Sequence, residues 1–154
     1  MTVNFEKPRI LIVDDTRHIR DLIRLIYDEY DIDLIEAVNG RDAVEMARAC
    51  TPDLILLDIQ MPVMNGYEAA VILKNDKALK DTPLLFMSGL EFSDVPERLS
   101  GLYDGYLSKP FQEEDLIKAT MQWLPNIKYK TFMDTNTETV QSGNHDCVNQ
   151  LYFG

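Results

Sequence analysis

Leu54-Ile55-Leu56-Leu57-Asp58, followed by Ile59 and the loop Gln60-Met61-Pro62-Val63-Met64-Asn65-Gly66, is the stretch that decides the fold. A short continuous apolar run bounded by turn residues is typical of a strand buried on both faces. Its last residue, Asp58, is a carboxylate followed by a loop that Pro62 and Gly66 constrain. A carboxylate at the carboxyl end of a buried strand is well placed for chemistry, because open α/β sheets bind ligands at that edge.

Three other apolar runs end in the same way. Residues 9–13 lead into Asp14-Asp15, residues 84–87 into Ser88-Gly89, and residues 106–108 into Lys109-Pro110. In a parallel sheet all four ends open onto one edge. Three acids, a hydroxyl and a lysine are therefore expected to converge there. That combination suits phosphoryl chemistry on a carboxylate with a divalent cation.

Longer stretches of helical period separate these runs. Apolar residues at positions 19, 22, 23 and 26 predict an inward stripe on a first helix, which Thr16 is placed to cap. Further helices are expected from Gly40, over residues 66–73 and over residues 111–123, and a partly exposed second strand over residues 32–37. The alternation predicts a doubly wound α/β fold with five parallel strands and right-handed crossovers.

One crossover departs from this pattern. Residues 90–102 should form a helix, but Pro96 interrupts them and their apolar residues are sparse. We expect a short or distorted helix there.

Composition excludes several classes of protein. With 154 residues one domain is the default, and a net charge of −11 argues against a nucleic-acid surface, which requires clustered Lys and Arg. Neither a signal peptide nor an apolar run of about 20 residues is visible, so we expect no membrane insertion. Cys50 and Cys147 show no metal-binding spacing, which favours a reducing, cytoplasmic setting.

The polar composition after Pro125 predicts a domain over residues 8–124 and a tail over residues 125–154. A flexible tail is one interpretation. The other is that Tyr129, Phe132 and Met133, or residues 151–153, dock on the domain or on a partner.

The three acids together predict a cation site. Asp14, Asp15 and Asp58 would repel one another at a partly desolvated edge, and Mg²⁺, which prefers oxygen ligands, relieves that repulsion. Asp14 or Asp15 alone would more simply cap the following helix. With Ser88 and Lys109 added, Asp58 is the candidate nucleophile, Lys109 and Ser88 hold phosphoryl oxygens, and a cis Lys109-Pro110 bond would aim the lysine inward.

These motifs resemble the response-regulator receiver domains of two-component signalling. The resemblance spans residues 8–124 and rests on 12–15, 57–66, 87–89 and 109–111. It implies a flavodoxin-like (βα)5 fold, with Asp58 accepting phosphate from a phosphohistidine on a sensor histidine kinase. It implies that Asp15 and Asp58 ligate Mg²⁺ or Mn²⁺ directly, Asp14 through water, and Gln60 through its carbonyl. It also implies that Ser88 and Tyr106 are the switch pair.

Some positions depart from the usual pattern. Gln60 and Leu90 occupy places that resemble the family's controls on phosphate lifetime, and an apolar Leu90 predicts a long-lived phosphoryl group because it hinders an attacking water. Pro96 puts the usual output face in question. His18 is expected to be an exposed helix residue and His145 a solvated tail residue, so neither is a candidate phosphoryl donor.

Three functions fit these residues. The first is a stand-alone switch, not an enzyme of external substrates, that binds a protein effector or forms a phosphorylation-dependent homodimer. The second is a phosphorelay intermediate that passes phosphate to a histidine phosphotransfer domain. The third is a haloacid-dehalogenase-type phosphatase. Gln60 argues against it because a general acid belongs two residues after the nucleophile, and the acidic pair of those enzymes comes last in the sequence.

Overall fold

The computed structural model describes residues 6–130 and contains one five-stranded sheet. All strand pairs are parallel, in the order β2-β1-β3-β4-β5. The strands are β1 (Arg9–Val13), β2 (Asp33–Ala37), β3 (Leu54–Asp58), β4 (Leu84–Ser88) and β5 (Gly105–Ser108). The central strands β3 and β4 are buried along their whole length, as continuous apolar runs require. The predicted fold class is confirmed.

Four α-helices cover the two faces of the sheet. They are α1 (Arg17–Tyr27), α2 (Gly40–Cys50), α3 (Gly66–Asn75) and α4 (Glu113–Trp123). One apolar core lies under α1 and α4, and the other under α2 and α3. Helix α4 starts at Glu113, two residues later than expected, because Gln112 and Asp115 form a capping box that sets its first turn.

Two expectations for α1 are wrong. Leu22 is 39% exposed, since the stripe that meets the sheet runs through Ile23, Ile26 and Tyr27. Tyr27, four residues after Ile23, supplies the bulk that Leu22 was expected to supply. Thr16 does hold the N-cap position, but its side chain makes no capping bond, and the Asp14 carboxylate accepts the Thr16 N–H at 2.9 Å instead.

The crossover between β4 and β5 contains no α-helix. Two 3₁₀ segments, Phe92–Asp94 and Glu97–Leu102, lie on either side of Pro96. Only Val95 and Leu99 are buried there among residues 91–100. The short or distorted helix that was expected is present as two 3₁₀ segments. A sparse apolar pattern broken by proline cannot bury a full helical face.

The chain turns back after α4 and contacts the loop between α1 and β2. Residues 127–130, here called the strap, place the Lys128 carbonyl 2.8 Å from the Asp31 N–H and the Lys130 N–H 2.8 Å from the Glu29 carbonyl. Tyr30 and Tyr129 form an isolated antiparallel bridge. Tyr129 therefore docks on the domain, whereas Phe132, Met133 and residues 151–153 lie outside the described residues.

A membrane helix is not found in the part of the chain that the structure describes. None of the helices within residues 6–130 is long and apolar enough to cross a bilayer.

Candidate functional site

The four predicted strand ends meet at one edge of the sheet. Asp14 and Asp15 follow β1, Asp58 ends β3, Ser88 ends β4 and Lys109 follows β5. Asp14, Asp58 and Ser88 are buried, whereas Asp15 is exposed. The parallel topology alone brings these residues together, because every strand presents its carboxyl end on the same side.

Main-chain and side-chain contacts hold Asp14 in place. Its N–H donates to the Ala37 carbonyl at 3.2 Å, and its carboxylate accepts the Thr16 N–H. The Arg20 guanidinium donates to the Asp14 carbonyl oxygen at 2.9 Å. A buried carboxylate requires such satisfied contacts.

The three carboxylates form a set that fits a hard divalent cation. Oxygens of Asp14, Asp15 and Asp58 all lie within 4.8 Å of one another. Burial, and next the charge of Asp14, raise the pKa of Asp58 to about 6, although Lys109 and a backbone hydrogen bond from Gln60 act in the opposite direction. A cation would relieve this repulsion and is offered the oxygen ligands that Mg²⁺ prefers.

Lys109 is the counter-charge of this cluster. Its Nζ lies 2.5 Å from Asp14 Oδ2 and 3.5 Å from Asp58 Oδ1. The Lys109-Pro110 peptide bond, a candidate for the cis form on the sequence, is cis. The lysine therefore lies between two carboxylates, and Asp14 is its nearer partner.

Two glycines hold the loop that follows Asp58. A Cβ at Gly66 would lie 2.3 Å from the Asp58 carbonyl oxygen, and a Cβ at Gly40 would lie 2.5 Å from the Met64 carbonyl oxygen. The Gly40 N–H donates to that same Met64 oxygen at 2.9 Å. Close backbone approach thus explains both residues. From the sequence, Gly40 was expected only to begin a helix.

The two expected switch residues meet at Leu90. Ser88 Oγ accepts the Leu90 N–H at 3.1 Å, and the Tyr106 hydroxyl donates to the Leu90 carbonyl at 2.5 Å. Burial raises the pKa of Tyr106. The ring of Phe92 covers Tyr106 at a centroid distance of 5.6 Å. Ser88 and Tyr106 are therefore both hydrogen-bonded to the backbone of one residue, Leu90.

Other candidates lie outside this cluster, and one contributor was missed. His18 is exposed on α1, as expected, and Cys50 is buried. His145 and Cys147 lie outside the described residues. Arg20 was not identified from the sequence. Its spacing five residues after Asp15 carried no periodic signal that would have separated it from Arg17 and Arg24.

Comparison with known proteins agrees with this geometry. A family model described as "Response regulator receiver domain" matches residues 10–121. Protein PilG of Pseudomonas aeruginosa is 32% identical over 121 residues, which cover 77% of this chain and 89% of PilG. The sensor kinase/phosphatase LuxN of Vibrio harveyi is 35% identical over 122 residues, which cover 79% of this chain but 14% of LuxN.

A solved structure shows the same architecture. The chemotaxis protein CheY4 of Vibrio cholerae superposes with a TM-score of 0.72 at 27% identity, and the match covers 77% of this chain and 99% of that one. These matches are to receivers, so they give no support to the haloacid-dehalogenase alternative. Receiver domains are signalling switches. The chain belongs to the response-regulator receiver domains of two-component signal transduction.

Proposed function

We propose that Asp58 accepts a phosphoryl group from a phosphohistidine on a sensor histidine kinase and that the chain acts as a cytoplasmic phosphorylation switch. The observation that carries this proposal is the arrangement of Asp58 beside Asp14, Asp15 and Lys109. Asp58 is buried yet opens onto the sheet edge, and its carboxylate lies 3.5 Å from the lysine nitrogen. A carboxylate in such a place is a candidate nucleophile.

We infer that Asp15, Asp58 and the Gln60 carbonyl would hold the cation directly and that Asp14 would hold it through water. Bound Mg²⁺ or Mn²⁺ would neutralise the charge that develops on the phosphoryl oxygens. Asp58 in its ionised form attacks phosphorus, so an O–P bond forms while the N–P bond to the donor histidine breaks. Lys109 shifts from Asp14 toward a phosphoryl oxygen, and the Ser88 hydroxyl donates to another.

Release of Ser88 from Leu90 gives the switch its structural output. When the Ser88 hydroxyl turns to the phosphoryl group, the Leu90 N–H loses its acceptor, and Tyr106 is held by the carbonyl of the same residue. A protein effector, or a second copy of the chain in a phosphorylation-dependent homodimer, reads the changed surface. Driving a population from 1:99 to 99:1 takes about 5.5 kcal/mol, and charge-assisted contacts to Lys109 and the cation are of the right kind. No turnover of an external substrate is part of this function.

The test is phosphorylation by radiolabelled acetyl phosphate with Mg²⁺. Wild type should be labelled and Asp58→Ala should not. Asp53→Ala is the matched control, because Asp53 lies just before the start of the same strand, at its opposite end. The assignment is wrong if Asp58→Ala is labelled as strongly as wild type.

A phosphorelay intermediate is the second candidate function. The similarity to a segment of the LuxN sensor kinase favours keeping it, because that receiver is part of a larger signalling protein. Incubation of the labelled protein with an isolated histidine phosphotransfer domain separates the two roles. Transfer of label to the histidine domain would indicate a relay, and retention on Asp58 a terminal switch.

A further inference from the structure

Arg20 differs from the other arginines of α1 in its burial. Its side chain is 13% exposed, whereas those of Arg17 and Arg24 are 85% and 52% exposed. Arg17 and Arg24 pair with Asp21, and Arg24 also pairs with Glu36 at 2.5 Å. Of these three arginines, only Arg20 donates a hydrogen bond to the backbone of the acidic cluster, at Asp14.

The charge of Arg20 is only partly compensated by its neighbours. Its Nε is buried without a hydrogen-bond partner within residues 6–130 and lies 3.9 Å from Glu36 Oε2. Leaving a buried charged donor unpaired is unfavourable. The hydrogen bond that it does make, at 2.9 Å, goes to the Asp14 carbonyl oxygen.

That oxygen belongs to the peptide unit joining Asp14 to Asp15. Because a peptide unit is planar, holding its carbonyl also sets the direction in which the Asp15 backbone continues. Asp15 depends on this, since no hydrogen bond or ion pair holds its carboxylate in the described part of the chain. Asp14, in contrast, is held through its own carboxylate by Thr16 and Lys109.

We propose that Arg20 is a positioning residue for the cation site and, resting on the function proposed above, for phosphorylation. It fixes the Asp14–Asp15 peptide so that the Asp15 carboxylate faces the same point as that of Asp58. Arg20 touches neither the phosphoryl group nor the cation. Outer contacts of this kind change metal affinity by about 10- to 100-fold when they are removed.

The experiment measures Mg²⁺ affinity by calorimetry on the full chain without phosphodonor. Arg20→Met removes the donor while keeping much of the volume, and Arg20→Lys restores a donor and the charge. Arg24→Met is the matched control, because it removes two shorter ion pairs from the same helix but no contact with Asp14. Urea unfolding without metal reports stability separately.

We expect Arg20→Met to weaken Mg²⁺ binding by about tenfold, Arg20→Lys to recover part of that loss, and Arg24→Met to stay within twofold of wild type. Equal Mg²⁺ affinity of Arg20→Met and Arg24→Met would overturn the inference. If Arg20→Met does not fold, Arg20→Gln is compared with Arg24→Gln and read in the same way. A wild type that binds no Mg²⁺ would count against the proposed function, whereas tight binding that Arg20→Met leaves intact counts only against Arg20.

Discussion

At the scale of single residues, Asp58 shows how a site can oppose the stability of its own fold. Burial and the charge of Asp14 hold its pKa near 6, against an ordinary value of 3.8. The ionised form of Asp58 is therefore disfavoured in the metal-free folded protein. Removing the charge should stabilise the metal-free protein, which follows from linkage between protonation and folding.

We expect Asp58→Asn to raise the free energy of unfolding at pH 7.5 without Mg²⁺. Between pH 3.8 and about 6 the folded wild type binds more protons than the unfolded chain, so its stability falls as pH rises and the loss is complete above about 6. A rise in the pKa of Asp58 from 3.8 to about 6 corresponds to about 3 kcal/mol, which is the upper bound on the gain in stability.

Urea unfolding in EDTA from pH 4 to 8 measures this effect. The gain should shrink toward zero at pH 4. Asp28→Asn, at an exposed acid far from the cluster, is the control and should change stability little at either pH. A gain for Asp58→Asn that is equally large at pH 4 would show that something other than its charge is responsible.

The second prediction at this scale concerns the side chain of Leu90 and the lifetime of the phosphoryl group. Its backbone contacts Ser88 and Tyr106, so a side-chain substitution leaves both hydrogen bonds available. On the function proposed above, an apolar side chain two residues after Ser88 should hinder an attacking water. We expect Leu90→Glu to shorten the phosphoryl half-life by about tenfold, or about 1.4 kcal/mol of activation free energy.

The decay of radiolabelled protein after removal of the donor gives the half-life. Ser93→Glu is the control, because it places the same charge at an exposed position three residues further along the crossover. A wild-type half-life of seconds without phosphatase would contradict the role assigned to Leu90.

At the scale of elements, the loop after β3 carries backbone strain. Val63 has φ of 70° and is 69% exposed, so a β-branched residue sits in the left-handed region with little packing in return. We expect Val63→Gly to raise the free energy of unfolding by about 1 kcal/mol. Val38→Gly, at an exposed valine without positive φ, should instead lower it. Chemical denaturation of both variants decides whether strain is stored at Val63.

Helices α1 and α4 are joined by one buried polar contact. The Thr120 hydroxyl donates to the Leu116 carbonyl, so the Tyr27 hydroxyl, 2.6 Å from it, must donate to Thr120. Thr120→Val therefore leaves a buried hydroxyl without an acceptor, and we expect a loss of about 1–3 kcal/mol in unfolding free energy. The double variant Tyr27→Phe/Thr120→Val should recover most of it. Additive losses in this double-mutant cycle would show that the two hydroxyls do not interact.

At the scale of the whole molecule, the strap and the acidic cluster lie at opposite ends of the sheet. The strap binds just before β2, whereas the acids follow the carboxyl ends of the strands. Tyr129→Ala removes the ring that lies 4.5 Å from the ring of Tyr30. It also removes the hydroxyl that accepts a hydrogen bond from the Tyr30 hydroxyl, and Tyr30 is only 2% exposed. We expect a loss of about 1–2 kcal/mol in stability and an unchanged rate of labelling by acetyl phosphate.

Tyr129→Phe is the matched control, since it keeps the ring and removes only the hydroxyl. Its loss should be smaller than that of Tyr129→Ala. A slower labelling rate in either variant at a temperature where both are folded would show that the two ends are coupled after all.

The sequence by itself determined the parallel sheet and which residues lie at the edge that carries the candidate site. Apolar runs of strand length alternate with helical stretches, and topology then places every strand-end residue on one side. Asp14, Asp15, Asp58, Ser88 and Lys109 could be assigned to that edge without coordinates. The irregular crossover around Pro96 could also be predicted, because the proline and the scarcity of apolar residues are both local features of the sequence.

Only the tertiary structure decided which of these groups touch. Lys109 lies nearer to Asp14 than to Asp58, Arg20 turns under the Asp14–Asp15 peptide, and Tyr129 returns to Tyr30. Lys109 lies more than 90 positions from Asp14, and Tyr129 more than 90 from Tyr30. Arg20 looks like its helix neighbours in any periodic pattern. Such contacts depend on side-chain directions and backbone approach after packing, which a one-dimensional pattern of polarity does not encode.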